Sequence, residues 1–223
     1  MKLSHKLIVA NWKSNKSVTE AKHWAETFVQ QEPKDAYTYV VCPPYSALLA
    51  LQDQEQYFAL GVQDLSAFGA GAYTGEISAH NLLDLGVKYA ILGHSERRRY
   101  QNETSADVAK KVTSALDAGI TPIVCVDRDQ FGEQAAQLTA SQREQVIVAY
   151  EPVHAISTFG GQEDPIETTL ENIAALKESF GNVPVLYGGS VTPENSLVYL
   201  QEDAIQGVLV GGTSLDPEKF AQL

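Results

Sequence analysis

Eight short apolar runs recur along this chain, and most of the stretches between them carry a helical pattern. The runs are Lys6 to Ala10, Tyr37 to Cys42, Phe58 to Val62, Tyr89 to Leu92, Thr121 to Val126, Gln145 to Tyr150, Val183 to Tyr187 and Gly207 to Val210. Several, such as Ile147-Val148-Ala149, are apolar without interruption, as a parallel strand covered on both faces must be. Helical patterns fill Val18 to Gln31, Ser105 to Ala118 and Pro165 to Phe180, with Asp164 expected as the N-cap of the last and Pro165 in its first turn. Strands separated by helices pair in parallel through right-handed crossovers, and eight such units suffice to close an α/β barrel, (β/α)8. The rival is an open, doubly wound sheet. Its dinucleotide-binding form needs G-x-G-x-x-G after the first strand, where this chain has Ala10-Asn11-Trp12-Lys13 instead. No Pro, Gly or Ser-rich linker divides the 223 residues, so one domain over residues 1–223 is expected.

Composition narrows the partners. Sixteen Lys and Arg against twenty-eight Asp and Glu give a net charge of -12, so neither nucleic acid nor an anionic membrane is an expected partner. An anionic ligand would need a local cluster of cations or backbone N–H groups to overcome that field. The two cysteines, Cys42 and Cys125, each close an apolar run, a placement that suits buried thiols in a reducing compartment. No early run is long enough for a signal-peptide core, and nothing approaches the roughly 18 apolar residues of a membrane helix. A soluble, unprocessed, cytoplasmic protein is expected.

In a barrel, chemistry gathers where strands end. Gly188-Gly189-Ser190 follows the seventh run and Gly211-Gly212-Thr213-Ser214 the eighth. One glycine pair is as well explained by a turn. Two pairs at those strand ends, where barrels commonly hold phosphate, point to an anion site built from backbone N–H groups. Asn11 and Lys13 leave the first strand, and a lone lysine there would be a surface residue in most chains. The fourth strand runs into Gly93-His94-Ser95-Glu96-Arg97, and a helical turn starting near Ser95 would aim N–H groups at His94 and hold its ring neutral. The sixth runs into Glu151-Pro152, and the proline holds Glu151 extended at the strand end, as a base or as a salt-bridging residue. Beyond it, the small residues from Val153 to Gly161 have the composition of a mobile lid.

Taken in order, Asn11-Trp12-Lys13, Ile91 to Arg98, Ala149-Tyr150-Glu151-Pro152-Val153, Tyr187 to Val191 and Gly207 to Gly212 resemble the triosephosphate isomerase family. The resemblance runs from the first strand to the eighth and implies a TIM barrel. It further implies interconversion of dihydroxyacetone phosphate and glyceraldehyde 3-phosphate through an enediol or enediolate, without metal or organic cofactor. Glu151 matches the family's base and His94 its neutral electrophile, and both roles come with the family. Lys13 matches the cation that steadies the oxyanion, Asn11 a substrate donor, and Glu96 a carboxylate that orients Lys13. Ser157, Ser190, Gly211 and Gly212 match positions whose N–H groups grip phosphate. The loop Leu65 to Ile77 resembles one that inserts into a second subunit, which implies a homodimer with Thr74 near the neighbour's Lys13.

The chain departs from the family in two places. The family lid reads Pro-Val-Trp-Ala-Ile-Gly-Thr-Gly, and here His154, Ser157 and Phe159 replace Trp, Gly and Gly. Cys-Val-Gly-Glu becomes Cys125-Val126-Asp127-Arg128, and the helical region that follows, Gln130 to Arg143, is short. Two other readings compete with the isomerase. One is a barrel acting on a larger sugar phosphate, against which the joint presence of Lys13, His94 and Glu151 weighs. The other is a non-catalytic barrel that binds a phosphorylated metabolite or a protein, its lid diverged.

Overall fold

Alternation within the strands decides the architecture. Along β1 (Lys6–Asn11) Leu7 and Val9 join one apolar cluster, while Ile8 and Ala10 join another. The smaller cluster fills a barrel interior with Leu7, Val9, Val40, Cys42, Ile91, Ile123, Cys125, Ile147, Ala149, Leu186 and Leu209. The larger one lies between the strands and the helices outside them. A strand buried on both faces has no polar side to turn to water, so it must sit in a covered parallel sheet.

The computed structural model describes residues 3–152 and 164–223. After β1 come α1 (Val18–Gln30), β2 (Tyr37–Cys42), α2 (Leu48–Leu51), β3 (Ala59–Val62) and β4 (Tyr89–Leu92). Then follow α3 (Ser95–Gln101), α4 (Ser105–Asp117), β5 (Thr121–Val126), α5 (Phe131–Ala136), α6 (Ala140–Arg143) and β6 (Ile147–Tyr150). The chain ends with α7 (Ile166–Phe180), β7 (Val185–Tyr187), α8 (Ser196–Leu200), β8 (Gly207–Val210) and α9 (Pro217–Ala221). Each strand pairs in parallel with the next, and β1 pairs with β8, so the sheet closes. The closure depends on Gly207. Its φ is +152°, and a Cβ there would strike the Leu7 carbonyl oxygen across the seam.

The expected α/β barrel is the fold observed, with strand ends shifted by a residue or two. One local expectation is corrected. Pro165, not Asp164, stands at the N-cap of α7, and its side chain offers no cap. Asp164 is buried, where its carboxylate accepts from the Tyr150 hydroxyl at 3.3 Å and its carbonyl from Tyr199 at 3.2 Å. A buried carboxylate needs such donors more than an exposed helix end needs a cap. Among the described residues no helix is long and apolar enough to cross a membrane.

Candidate active site

Strand parity carries the site residues to one mouth. Ile147 and Ala149 face the barrel interior, so Glu151 also points inward, two residues further on. By the same count Asn11 follows Leu7 and Val9 on β1. Glu151 is 2% exposed, and its backbone N–H donates to the Val126 carbonyl at 2.9 Å. Space for it comes from Gly188, where a Cβ would lie 3.0 Å from Glu151 Cγ and 3.2 Å from the Tyr150 carbonyl oxygen.

His94 lies at the N-cap of α3, where Glu96 N–H donates to its Nδ1 at 3.2 Å. Its Nε2 lies 3.0 Å from Glu151 Oε1, and Ser95 N–H donates to Glu151 Oε2 at 3.1 Å. Burial is the largest influence on the imidazole and favours the neutral ring, while the Glu151 and Glu96 carboxylates draw its pKa above the ordinary value. The amide at Nδ1 decides between them. An imidazolium would turn Nδ1–H against Glu96 N–H, whereas a neutral ring protonated at Nε2 satisfies both contacts. Burial pushes the Glu151 carboxyl up; the charge of a protonated His94 is the largest influence drawing it below the usual carboxylate value, and the hydrogen bonds from His94 and Ser95 N–H and the Lys13 charge, which act with the ring neutral as well, draw it the same way. At this strand end Glu151 is a carboxylate, hydrogen-bonded at both oxygens.

Lys13 closes the triangle. Its Nζ is 2.8 Å from Glu96 Oε1, and its backbone takes φ +52°, a left-handed conformation uncommon for a side-chain-bearing residue. Two polar contacts hold that backbone: Lys13 N–H donates to Asn11 Oδ1 at 3.1 Å, and Gln63 Nε2 donates to the Lys13 carbonyl at 2.8 Å. Gln63 also reaches the Cys42 carbonyl at 3.0 Å, tying β1, β2 and β3 together at their exits.

Asn11, Lys13, His94 and Glu151 line a cavity of about 170 Å³ with Gly188, Gly189, Ser190, Gly211 and Gly212. That is below the usual range of about 300–1,000 Å³ for drug-sized ligands, so a small molecule fits. The loops after β7 and β8 are tied to each other where Thr213 Oγ1 donates to the Val191 carbonyl at 2.7 Å. The Ser214 N–H and hydroxyl both donate to the Gly211 carbonyl, at 2.9 and 2.6 Å. The cavity thus brings together a carboxylate, a neutral imidazole, an ammonium and two glycine turns. Among the described residues no group of three or more His, Cys, Asp or Glu could hold a metal ion.

The family model for Triosephosphate isomerase matches residues 6–223, from β1 to the last residue of the chain. The chain belongs to the triosephosphate isomerase family. A triosephosphate isomerase from Symbiobacterium thermophilum is 38% identical over 97% of this chain and 94% of its own length. One from Deinococcus radiodurans is 41% identical over 94% of this chain and 93% of its own, and one from Thermus thermophilus 40% over 97% and 96%. The chain is an isomerase of this family, and its barrel is the family's barrel.

The structure brings Asn11, Lys13, His94, Glu151, Ser190, Gly211 and Gly212 to one cavity, with Glu96 against Lys13. Ser157, His154 and Phe159 lie outside the described residues. Thr74 lies away from the cavity, on an exposed loop whose base is closed by Ser66 N–H donating to the Ile77 carbonyl at 2.8 Å. Two supporting residues escaped the sequence. Gln63 has no motif of its own, although its place one residue past β3 is the kind of position that marked the others. Arg98 bridges the Gly93 carbonyl at 2.7 Å, Gln134 Oε1 at 2.7 Å and the Cys125 carbonyl at 3.3 Å, locking the His94 turn to β5.

Proposed function

We propose that this chain interconverts dihydroxyacetone phosphate and glyceraldehyde 3-phosphate within a single barrel domain. The carrying observation is the convergence of Glu151, His94 and Lys13 on one cavity that two glycine turns also line. Glu151 takes the proton from the carbon beside the carbonyl, and the bond's electron pair moves to the carbonyl oxygen. His94 Nε2–H and Lys13 Nζ meet the charge that develops there, and one such pre-placed donor is worth about 3 kcal/mol in comparable sites. The proton held by Glu151 then returns to the adjacent carbon, while the neutral ring exchanges a proton between the two oxygens.

Glu151 has to leave its bonds to His94 and Ser95 N–H to reach a carbon, so the geometry is that of a base at rest. Asn11 donates to the substrate, Glu96 orients Lys13, and the N–H groups of Ser190, Gly211 and Gly212 hold the phosphate. By the family resemblance Ser157 adds a further N–H. The reaction needs no added cofactor. It suits a cytoplasmic metabolic enzyme.

A homodimer is part of this reading. The 65–77 loop exposes Phe68 and Tyr73, which stack on each other with ring centres 4.4 Å apart. Next to Lys13 lies a second cleft, of about 330 Å³, lined by Tyr45, Gln63, Glu96, Arg97 and Tyr100 among others. The loop of a second copy, led by Thr74, is proposed to enter it. A coupled assay for glyceraldehyde 3-phosphate isomerisation tests the whole reading, with Glu151→Gln as control. Turnover should fall by about a hundredfold to ten-thousandfold while a phosphate analogue still binds. A Glu151→Gln variant that turns over like the wild type would remove the base.

A further inference from the structure

We infer that Trp24, on the outer helix α1, is a positioning residue for the anion end of the site. The inference rests on reading the Gly211–Gly212 turn as the phosphate grip. Trp24 is 1% exposed, and its indole Nε1–H donates to the Ser214 carbonyl at 3.0 Å. Ser214 belongs to the tight turn Gly212–Leu215 after β8. Two further contacts anchor the turn, Ser214 to Gly211 and Thr213 to the β7 loop. The third anchor comes from α1.

The same indole meets the other half of the site. Its ring stands edge-on to Trp12 with centres 4.9 Å apart, and Trp12 lies in sequence between Asn11 and Lys13. One buried side chain therefore touches the β1 exit and the β8 turn together. Trp24 is held by stacking on Phe28 at 5.0 Å and by edge contacts with Phe58 at 6.1 Å. Removing the N–H while keeping an aromatic side chain would leave the Ser214 carbonyl without that bond and free the turn to shift its amides.

The test is Trp24→Phe, read by calorimetric titration with inorganic phosphate and by steady-state isomerisation. Phosphate Kd and substrate KM should each rise about threefold to tenfold, with kcat within twofold, since the lost interaction is uniform binding. Phe180→Leu is the packing control: it is buried in the same apolar cluster but makes no ring contact with Trp24, so it lowers stability while Kd should stay put. Unchanged Kd and KM in Trp24→Phe, a matching fall in kcat, or an equal rise in Kd in Phe180→Leu would each overturn the inference.

Should Trp24→Phe not fold, the wild type decides. The chain has two tryptophans, both in this pair, so their emission should change as phosphate saturates. Constant emission across a range that calorimetry shows to be saturating would overturn the role of Trp24. A wild type that neither binds phosphate nor isomerises would instead overturn the functional reading on which it rests.

Discussion

Replacing Gly188 by alanine adds one methyl group where Glu151, the proposed base, has its clearance. The new Cβ would sit 3.0 Å from Glu151 Cγ and 3.2 Å from the Tyr150 carbonyl oxygen, both inside ordinary carbon contact distance. The carbonyl cannot retreat easily, because it accepts the Gly188 N–H at 2.8 Å in the β6–β7 ladder. Glu151 is the part that gives, by a few tenths of an ångström, and its carboxylate moves with it. A misplacement of about 1 Å can cost about a hundredfold in rate, so a shift of roughly 0.3–0.5 Å should cost about fourfold to tenfold in kcat. KM should change less than kcat, since Gly188 itself is not among the proposed phosphate donors Ser190, Gly211 and Gly212. Overpacking of this kind costs about 1–3 kcal/mol of stability, measurable by denaturant unfolding. The coupled assay gives kcat and KM separately. A Gly188→Ala enzyme with wild-type kcat, or with KM raised alone, would show that Glu151 is not held by this contact.

At Gly212 a Cβ meets no protein atom within 4 Å, so Gly212→Val should spare the fold yet weaken phosphate binding by crowding the cavity; unchanged Kd by calorimetry would place the anion elsewhere. Because Glu151 is held below its ordinary value, the stability it contributes is full above the unfolded-state value and is lost as pH falls through the lower folded one. Acid unfolding profiles of wild type and Glu151→Gln should therefore diverge above that folded value, and the acid limb of kcat/KM should lie below that of an ordinary glutamate; coincident profiles would refute this. Thr74→Glu should separate the proposed dimer and lower activity together, and a wild type that is monomeric and fully active by light scattering at micromolar concentration would remove the dimer. Raising salt from about 0.01 to 0.15 M shortens the screening length from about 30 to 8 Å, so KM should fall as the repulsion from the acidic chain weakens, whereas a rise would reveal long-range attraction.

The eight alternating units and the place of Glu151 at the end of the sixth strand were legible because both depend on local pattern. Polar residues directly after apolar runs marked Asn11, Lys13, His94 and Glu151 for the same reason. What stayed hidden is tertiary. Asp164 reads as a helix cap until the Tyr150 and Tyr199 hydroxyls claim it from across the fold. Gln63 supports a left-handed Lys13 that no pattern announces, and Trp24 looks like one more apolar residue on an amphipathic helix. The short region after β5 was legible as short but not as two helices, α5 of six residues and α6 of four.

The acidity of the chain and the chemistry of its site belong to one argument. With His94 neutral, the side chains of Lys13, Glu96, His94 and Glu151 together carry one net negative charge, so they do not attract a phosphate dianion as a group. Lys13 is spent against Glu96 at 2.8 Å, and that pairing fixes where its charge points rather than adding to a positive field. In the proposed reaction the grip on phosphate therefore falls to backbone dipoles, which act at contact distance and vanish beyond it. Such a grip needs turns held to within tenths of an ångström. The contacts that hold these turns are uncharged ones: Thr213 to Val191, Ser214 to Gly211 and Trp24 to Ser214. In a protein with a net charge of -12, specificity for an anion is a matter of rigidity more than of field.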